Sequence, residues 1–281
     1  MEDLKKSIIK IIKQKKELSN LDQNFIHELL DGYIKKNKKT WQKIESHPKI
    51  EKSRDLKILV KEIRKRLREV YGVFNIDLTK RNKLLLELKT AVNGNSISDI
   101  KELHKKILLT HKSTRERIDY YDFIYEKIFS ITKRQEHILD IGSGLNPLSF
   151  IFMRFKDVKC TAIEFTQEDC NFLNEYFKIM KPFNIKGIAL KMDLTKPVKF
   201  PKADICFLFK MLDTLESIKP NISKNLLESI DAKFIVASFP KKSLSGKPIS
   251  TKRLIWFERL IKNYTTFEIE NEIFYIIPKN K

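Results

Sequence analysis

Cysteine is scarce in this sequence, and its pattern excludes two kinds of small domain. The three cysteines are Cys160, Cys170 and Cys206, and no two of them form a C-x-x-C pair. A zinc ribbon needs such pairs and a disulfide framework needs closely spaced cysteines, so neither is expected, and no metal site is expected. We expect reduced thiols, as in intracellular proteins.

Long apolar runs are also missing. No stretch reaches the roughly 20 residues needed to cross a membrane, and the N-terminus lacks the uninterrupted apolar segment of a secretion signal. Apolar residues still make up 42% of the chain, which is enough for a packed core and argues against disorder. We expect a soluble, cytoplasmic protein that acts as a monomer and has no membrane partner.

Acidic residues are too few to balance the basic ones. The chain has 36 Asp and Glu against 56 Lys and Arg, a net charge of +20. Residues 1–112 contain 28 basic and 15 acidic side chains and so carry 13 of the excess charges. This excess favours a polyanionic partner, with nucleic acid ahead of a membrane surface. A lysine-rich source organism is the alternative explanation.

The N-terminal part reads as helices, and one of them is strongly basic. Residues 54–70 are predicted to be helical because apolar side chains recur every three or four positions. The basic side chains of this helix fall on another face. They could follow an RNA backbone or form a solvated surface, and we take them as candidate RNA contacts: Lys57, Lys61, Arg64, Lys65 and Arg68.

The composition and the predicted elements change near residue 105. Residues 80–110 are predicted to be helical, and Ser113 with Glu116 fits a capping box that starts another helix. From residue 137 onward, apolar runs alternate with helical segments. Strands are predicted at 137–141, 158–164, 185–191, 203–209, 233–238, 266–270 and 272–277, and helices at 147–155, 167–180, 214–230 and 252–263.

This alternation predicts an α/β fold with helices on both faces of a parallel sheet. A closing antiparallel hairpin is the plan of Rossmann-like methyltransferases. We therefore predict two domains. Residues 1–105 form a helical, basic, RNA-binding domain, and residues 106–281 form a domain with a Rossmann-like methyltransferase sheet.

A glycine turn follows the first predicted strand, in the sequence HILDIGSGLNPLS of residues 137–149. A strand, a tight turn and a helix present bare backbone N–H groups to a ligand. A dinucleotide motif would need a third glycine where Pro147 stands, and the lysine of a phosphate-binding loop is absent. The short form with Gly142 and Gly144 suits a smaller ligand such as S-adenosylmethionine. A strand–helix turn that binds no ligand can have the same sequence pattern.

Other candidate residues stand where further parallel strands end, at the edge where such sheets bind ligands. Glu164 could accept hydrogen bonds from both ribose hydroxyls. Asp193 could accept the adenine amino group, while the backbone N–H of Leu194 meets a ring nitrogen. The loop at 238–247 (SFPKKSLSGK) offers cations for phosphate or base contacts. Each of these could also be an ordinary surface group.

Four segments together resemble the FmrO-type 16S rRNA guanine-N7 methyltransferases, the family best known from aminoglycoside-resistance enzymes. The segments are HKSTRER at 111–117, LDIGSGLNPL at 139–148, FKML at 209–212 and SFPKKSLSGK at 238–247. They cover residues 105–281 in the family's order, whereas residues 1–100 are similar only in their helical, basic character. Ser143 and Glu164 depart from the commoner family residues, so a housekeeping relative and a resistance enzyme both stay open.

The resemblance implies S-adenosyl-L-methionine as cofactor and the 16S rRNA of the small ribosomal subunit as partner. Arg117 would pair with the cofactor carboxylate through two hydrogen bonds. The cofactor contacts that it implies are Phe74, His111, Lys112, Ser113, Arg117, Gly142, Glu164, Asp193, Leu194 and Phe209. Lys242 and Lys247 would contact the rRNA.

The expected chemistry needs no catalytic side chain. Guanine N7 has a lone pair and no proton to remove, and a sulfonium methyl group is already electrophilic, so positioning can supply much of the rate. No Asn/Asp-Pro-Pro-Tyr motif follows the fourth strand. Two alternatives remain from the sequence: a methyltransferase of another RNA or a small molecule, and a non-catalytic RNA-binding or ribosome-assembly protein on this fold.

Overall fold

The chain divides into two compact units, Met1–Asn75 and Ile76–Lys281. The structure is a computed structural model and describes residues 2–15, 18, 19, 21, 23–68, 78–154, 157–242 and 248–279. Within these residues, no helix has the length and apolar character needed to span a membrane.

In its described residues, the first unit has four α-helices whose apolar faces pack together. They are α1 (Glu2–Lys13), α2 (Gln23–Lys36), α3 (Lys38–Glu45) and α4 (Arg54–Leu67). Helix α3 lies in a lysine-rich stretch, and its buried Trp41 and Ile44 explain why it forms. Ser53 begins α4, where its hydroxyl accepts a hydrogen bond from the backbone N–H of Leu56 at 3.3 Å.

The second unit consists of seven strands and eight α-helices in its described residues. The strands are β1 (His137–Ile141), β2 (Val158–Glu164), β3 (Ile185–Lys191), β4 (Ile205–Phe209), β5 (Phe234–Pro240), β6 (Thr265–Ile269) and β7 (Glu272–Pro278). The helices are α5 (Leu78–Asn93), α6 (Ile97–Leu108), α7 (Lys112–Arg117), α8 (Tyr121–Thr132), α9 (Gln167–Met180), α10 (Leu212–Ile218), α11 (Ile222–Ser229) and α12 (Ile255–Glu258).

The strands form one sheet in the order β3-β2-β1-β4-β5-β7-β6. Strands β1 to β5 are parallel, and β7 pairs antiparallel with β5 and β6. The predicted α/β fold with a closing hairpin is confirmed. Because β1 lies between β2 and β4, the carboxyl ends of these three strands share one edge of the sheet, and the candidate site lies there.

Helices α5 and α6 belong to the second unit, so the boundary predicted between residues 105 and 106 falls inside a compact body. Their buried side chains Leu88 and Ile107 join the same apolar core as Tyr176 of α9 and Leu148. The sequence predicted these helices and their charge. It could not predict where their apolar faces pack, because the residues that they contact are distant along the chain. The division of roles between the two units stays a prediction.

Four local predictions differ from the structure. The predicted helix 252–263 is observed as a 3₁₀ helix, Thr251–Leu254, followed by the short α12. Residues 146–152 form a 3₁₀ helix where an α-helix was predicted. The predicted helix 214–230 is split into α10 and α11, because Pro220 holds Lys219 extended and Asn221 adopts a φ of +66°. The capping box at Ser113 does not form, since the N-cap of α7 is His111, two residues earlier.

Candidate active site

The turn after β1 contains two glycines in the left-handed region of the backbone. Gly142 has a φ of +64° and Gly144 a φ of +53°, a conformation that favours glycine. The N–H of Gly142 donates to the carbonyl of Ile163 at 2.9 Å. A Cβ atom on Gly144 would lie 2.9 Å from the imidazole of His111. The backbone conformation and the packing against His111 both require glycine at position 144, although only Gly142 was predicted to contact the cofactor.

Glu164 lies beside this turn at the end of β2. Its Oε1 accepts the N–H of Gly144 and, at 3.3 Å, the hydroxyl of Ser143, while Oε2 accepts the N–H of Phe165 at 3.2 Å. Burial, together with the charge of Asp169, raises the pKa of Glu164 to about 7 despite these hydrogen bonds. The prediction of a carboxylate at the strand end is therefore matched by a buried carboxyl group held in a fixed orientation.

Asp140 is a second buried carboxyl group, inside β1. The side-chain N–H of Asn146 donates to its Oδ2 at 2.8 Å. Burial raises the pKa of Asp140 to about 7, although this hydrogen bond and the charge of Arg117 act in the opposite direction. From the sequence, Asp140 was predicted only to be part of the turn motif.

A cluster of buried charges lies next to Asp140, centred on Glu272 of β7. Glu272 is fully buried. Its Oε2 lies 3.3 Å from Nε of Arg117 and 3.0 Å from Nζ of Lys210, and its Oε1 accepts the hydroxyl of Ser238. Lys210 also pairs with Glu116 at 2.6 Å. Glu272 belongs to no sequence motif and could have been noticed only as a charge opening an apolar strand.

Arg117 is held on three sides. Besides Glu272, its Nη1 donates to the side-chain oxygen of Asn146 at 3.1 Å, and its guanidinium carbon lies 5.0 Å from the centre of the Phe209 ring. Phe209 in turn stacks on Phe207 at 4.9 Å. The predicted pairing of Arg117 with a cofactor carboxylate would have to compete with these partners, and it stays a prediction.

The segment before α7 covers the glycine turn from one side. His111 is buried, and burial with the charges of Arg117 and Arg81 lowers its pKa to about 3, so the imidazole is neutral. Ser113 is buried and Lys112 is partly buried. Of the predicted contact residues 111–113, His111 lies against Gly144, and their contact with the cofactor stays a prediction.

Asp193 follows β3 and makes a local turn. Its Oδ1 accepts the N–H and the hydroxyl of Thr195 at 3.0 and 2.6 Å, and its Oδ2 lies 3.2 Å from Nζ of Lys196. Leu194 packs against the core on this side of the sheet. These contacts fix the backbone after β3, and the predicted adenine contacts of Asp193 and Leu194 stay predictions.

The basic side chains of α4 do not all share one surface. Lys57, Lys61 and Lys65 are exposed. Arg64 instead donates to the backbone carbonyls of Ile11 and, at 3.3 Å, Ile12, so it binds the last turn of α1. The sequence could not separate these roles because residues 61, 64, 65 and 68 all recur at helical spacing. Arg68 is partly buried.

The remaining predicted residues lie outside the sheet edge or outside the described residues. Lys242 forms an exposed ion pair with Glu270 at 2.8 Å, which contributes little to stability. Phe74 and Lys247 fall outside the described residues. The thiol of Cys206 is fully buried, as expected for a core side chain.

The similarity of this chain to known proteins covers both units. Residues 40–261 match the family described as ribosomal RNA methyltransferase (FmrO). The chain belongs to this family. The predictions of the family, of an S-adenosylmethionine-dependent methyltransferase and of its cofactor are confirmed.

Similar proteins are 22 to 30% identical to this chain over the aligned residues. A protein of Proteus mirabilis is 28% identical over 226 residues, covering 77% of this chain and 76% of the relative. One of Serratia marcescens is 30% identical over 205 residues, covering 69% and 75%. Both are named 16S rRNA (guanine(1405)-N(7))-methyltransferase. The 16S rRNA methyltransferase RmtF, crystallised with S-adenosyl-L-homocysteine, shares the fold over both whole chains, with a TM-score of 0.78 and 20% identity.

The raised pKa of Asp140 has a consequence for stability. Between about pH 4 and pH 7 the folded protein holds a proton on Asp140 that the unfolded chain releases. The contribution of Asp140 to the free energy of unfolding is therefore fully present at low pH and is lost as the pH rises through 7. We expect the difference in unfolding free energy between wild type and Asp140→Asn to fall with rising pH, by at most about 1.4 kcal/mol per pH unit, and to level off above about pH 8. Urea unfolding at a series of pH values measures it. Burial lowers the pKa values of His104 and His111, so these groups make stability rise with pH, but they are present in both wild type and Asp140→Asn. A difference independent of pH would contradict the assignment.

Proposed function

We propose that this protein transfers the methyl group of S-adenosylmethionine to N7 of a guanine in 16S rRNA. The observation that carries the proposal is the extent of the family match, from residue 40 to residue 261. It includes α4, with its exposed lysines, as well as the glycine turn and the acidic strand ends. The similar proteins of Proteus mirabilis and Serratia marcescens, which bear the name of this activity, support the choice of substrate and atom.

The residues at the sheet edge fit this cofactor chemically. Gly142 and Gly144 leave the backbone of the turn without side chains, which allows a ligand to approach closely. The Glu164 carboxyl group is buried and oriented by three donors. In its ionised form it would accept hydrogen bonds from the ribose hydroxyls. His111 would border the methionine part.

The side chains of this protein would position the cofactor and the guanine, and they would transfer no proton. When bound, S-adenosylmethionine supplies a methyl group that is already electrophilic. Guanine N7 offers an in-plane lone pair without a proton, so no side chain is needed as a base, and aligned approach can supply much of the rate. Phe209, with Arg117 over its ring, would border the space for the base. A guanine stacked inside an RNA helix is out of reach of the bound methyl donor, so the rRNA must present either a flipped base or a distorted groove.

The exposed lysines of the first unit would bind the rRNA backbone. Lys57, Lys61 and Lys65 lie on one exposed face of α4, and Lys242 would add a contact from the second unit. Lys247 is predicted from the sequence to have the same role, whereas Arg64 is engaged with α1.

Action on ribosomal RNA implies a cytoplasmic location. We also propose that the protein works as a monomer, and light scattering of the purified protein tests this.

Methylation of purified 30S subunits tests the function. Protein incubated with 30S particles and isotopically labelled S-adenosylmethionine is expected to place label in 16S rRNA, and mass spectrometry of the digested RNA is expected to identify 7-methylguanosine. Label in transfer RNA alone would favour another RNA substrate. Cofactor binding without label in any RNA would overturn the proposal in favour of a non-catalytic binder.

Removal of the three exposed lysines of α4 tests the rRNA contacts. Each phosphate contact contributes roughly 0.7 to 0.9 to the slope of log affinity against log salt concentration. We therefore expect the triple variant Lys57→Ala, Lys61→Ala, Lys65→Ala to bind 30S subunits more weakly and to lower that slope by about 2. Filter binding at several salt concentrations measures both quantities.

A matched variant changes three exposed lysines of the second unit, Lys83, Lys106 and Lys178, to alanine. It removes the same net charge, so it controls for the loss of general attraction. Equal losses in the two triple variants would contradict a specific role for α4.

A further inference from the structure

Glu116 of α7 is a carboxylate at the sheet edge that neither cofactor binding nor the rRNA contacts account for. Its Oε2 lies 2.6 Å from Nζ of Lys210, at the end of β4, and its side chain is 31% exposed. Three other carboxyl groups of the site are at most 9% exposed, namely Asp140, Glu164 and Glu272. Of these four carboxyl groups, Glu116 is the one that a base entering from solvent could reach.

Lys210 holds the Glu116 carboxylate in place. The side chain of Lys210 is only 6% exposed, and its Nζ also lies 3.0 Å from Oε2 of Glu272. The backbone N–H of Lys210 donates to the hydroxyl of Ser238 at 3.1 Å, which fixes the end of β4 beside β5. Glu116 is therefore the solvent-facing member of a fixed cluster, and its carboxylate is oriented before a substrate binds.

Helix α7 connects the glycine turn with the end of β4. Its N-cap is His111, whose imidazole lies against Gly144. Glu116 stands near the other end of α7, and this length of helix rises about 8 Å. The next residue, Arg117, has its guanidinium carbon 5.0 Å from the centre of the Phe209 ring. Glu116 thus lies next to the residues proposed to border the base, about one short helix away from the glycine turn.

Guanine presents a pair of donors that matches a carboxylate. Its N1–H and N2–H groups stand side by side on the Watson–Crick edge, whereas N7 is an acceptor on the major-groove edge. An ionised carboxylate only accepts hydrogen bonds and does so through two oxygens, so it can receive both donors at once. Adenine has an unprotonated N1 at this edge and offers no such pair. A carboxylate that holds the Watson–Crick edge of guanine leaves N7 free for the methyl group.

We propose that Glu116 is a specificity-determining residue that accepts hydrogen bonds from N1–H and N2–H of the target guanine. This inference rests on the proposed function, because it takes guanine as the base that enters the site. It adds the group that distinguishes guanine from adenine. Enzymes that act on a flipped base read its Watson–Crick edge by such hydrogen bonds. Lys210 would be a positioning residue, since it acts on the base through Glu116.

The test compares guanosine with inosine at the methylated position of 16S rRNA. Inosine lacks the N2 amino group but keeps N1–H and N7. Reconstituted 30S subunits that contain either nucleoside at that position are incubated with labelled S-adenosylmethionine, and kcat/KM is measured for each. We expect wild type to prefer guanosine about 10- to 100-fold, as a hydrogen bond to a charged group usually contributes. In Glu116→Ala, we expect this preference to fall to about threefold or less, because no acceptor remains for the N2 amino group.

Two further variants control for folding and for charge. Glu116→Met keeps the length of the side chain without its oxygens, and we expect it to lose the preference as well. Glu126→Ala is the matched control, since Glu126 of α8 is an exposed carboxylate paired with Arg154 at 2.8 Å. It removes the same charge and is expected to keep the wild-type preference. Thermal unfolding, and calorimetry with S-adenosylhomocysteine, check that each protein is folded and binds the cofactor product.

The outcomes separate this inference from the proposed function. Wild-type protein that methylates neither nucleoside would contradict the proposed function and, with it, the role of Glu116. Wild-type protein that methylates guanosine and inosine equally well would overturn the role of Glu116 alone, and so would a preference that survives in Glu116→Ala and Glu116→Met. An equal or complete loss of kcat/KM on both nucleosides in these variants would likewise overturn it, since that result indicates a structural role through Lys210.

Discussion

The buried carboxylate of Glu272 is the interaction on which the candidate site depends. It lies at the start of β7, antiparallel to β5, and holds Arg117 of α7 and Lys210 at the end of β4. Lys210 has a φ of +55°, a strained conformation for a residue other than glycine, and its backbone N–H donates to the hydroxyl of Ser238. One carboxylate therefore joins an edge hairpin, two parallel strands and a helix. Charges this deeply buried are stable only when paired, so the cluster fixes the space between the glycine turn and the end of β4.

Around this cluster the site combines buried groups of both charges. Glu164 and Asp140 have raised pKa values and lie beside the glycine turn, while Arg117 and Lys210 supply the cations. A zwitterionic cofactor with a ribose needs such a mixture, with an acceptor for hydroxyls and a cation for a carboxylate. The reaction assigned to the site needs no general base, and positioning is what a set of side chains fixed by burial can provide. Binding of rRNA would instead depend on exposed lysines such as Lys57 and Lys61.

The sequence predicted the parts of this account that rest on local patterns. Strand periodicity located β1, β2 and β3 at their observed bounds, and the motif around Gly142 together with the acid at Glu164 located the edge of the sheet. Features set by distant contacts were out of reach. Nothing near Glu272 indicates its partners 155 residues upstream at Arg117, and nothing near Arg81 indicates its buried ion pair with Asp169. Arg64 has the spacing of an exposed residue, yet its partner is the end of α1. The packing of α5 and α6 on α9 is likewise not indicated by any local pattern near residue 105.

The unfolding free energy of Glu272→Gln, compared with that of Glu270→Gln, tests the central claim most directly. The two glutamates are two residues apart, but Glu272 is buried between Arg117 and Lys210, whereas Glu270 forms an exposed pair with Lys242. Removing one partner of a buried ion pair costs roughly 3–5 kcal/mol, whereas an exposed pair contributes little to stability because water and salt screen it. Urea unfolding of the two variants is expected to show this difference. Similar unfolding free energies for Glu272→Gln and Glu270→Gln would contradict the claim that Glu272 organises the site.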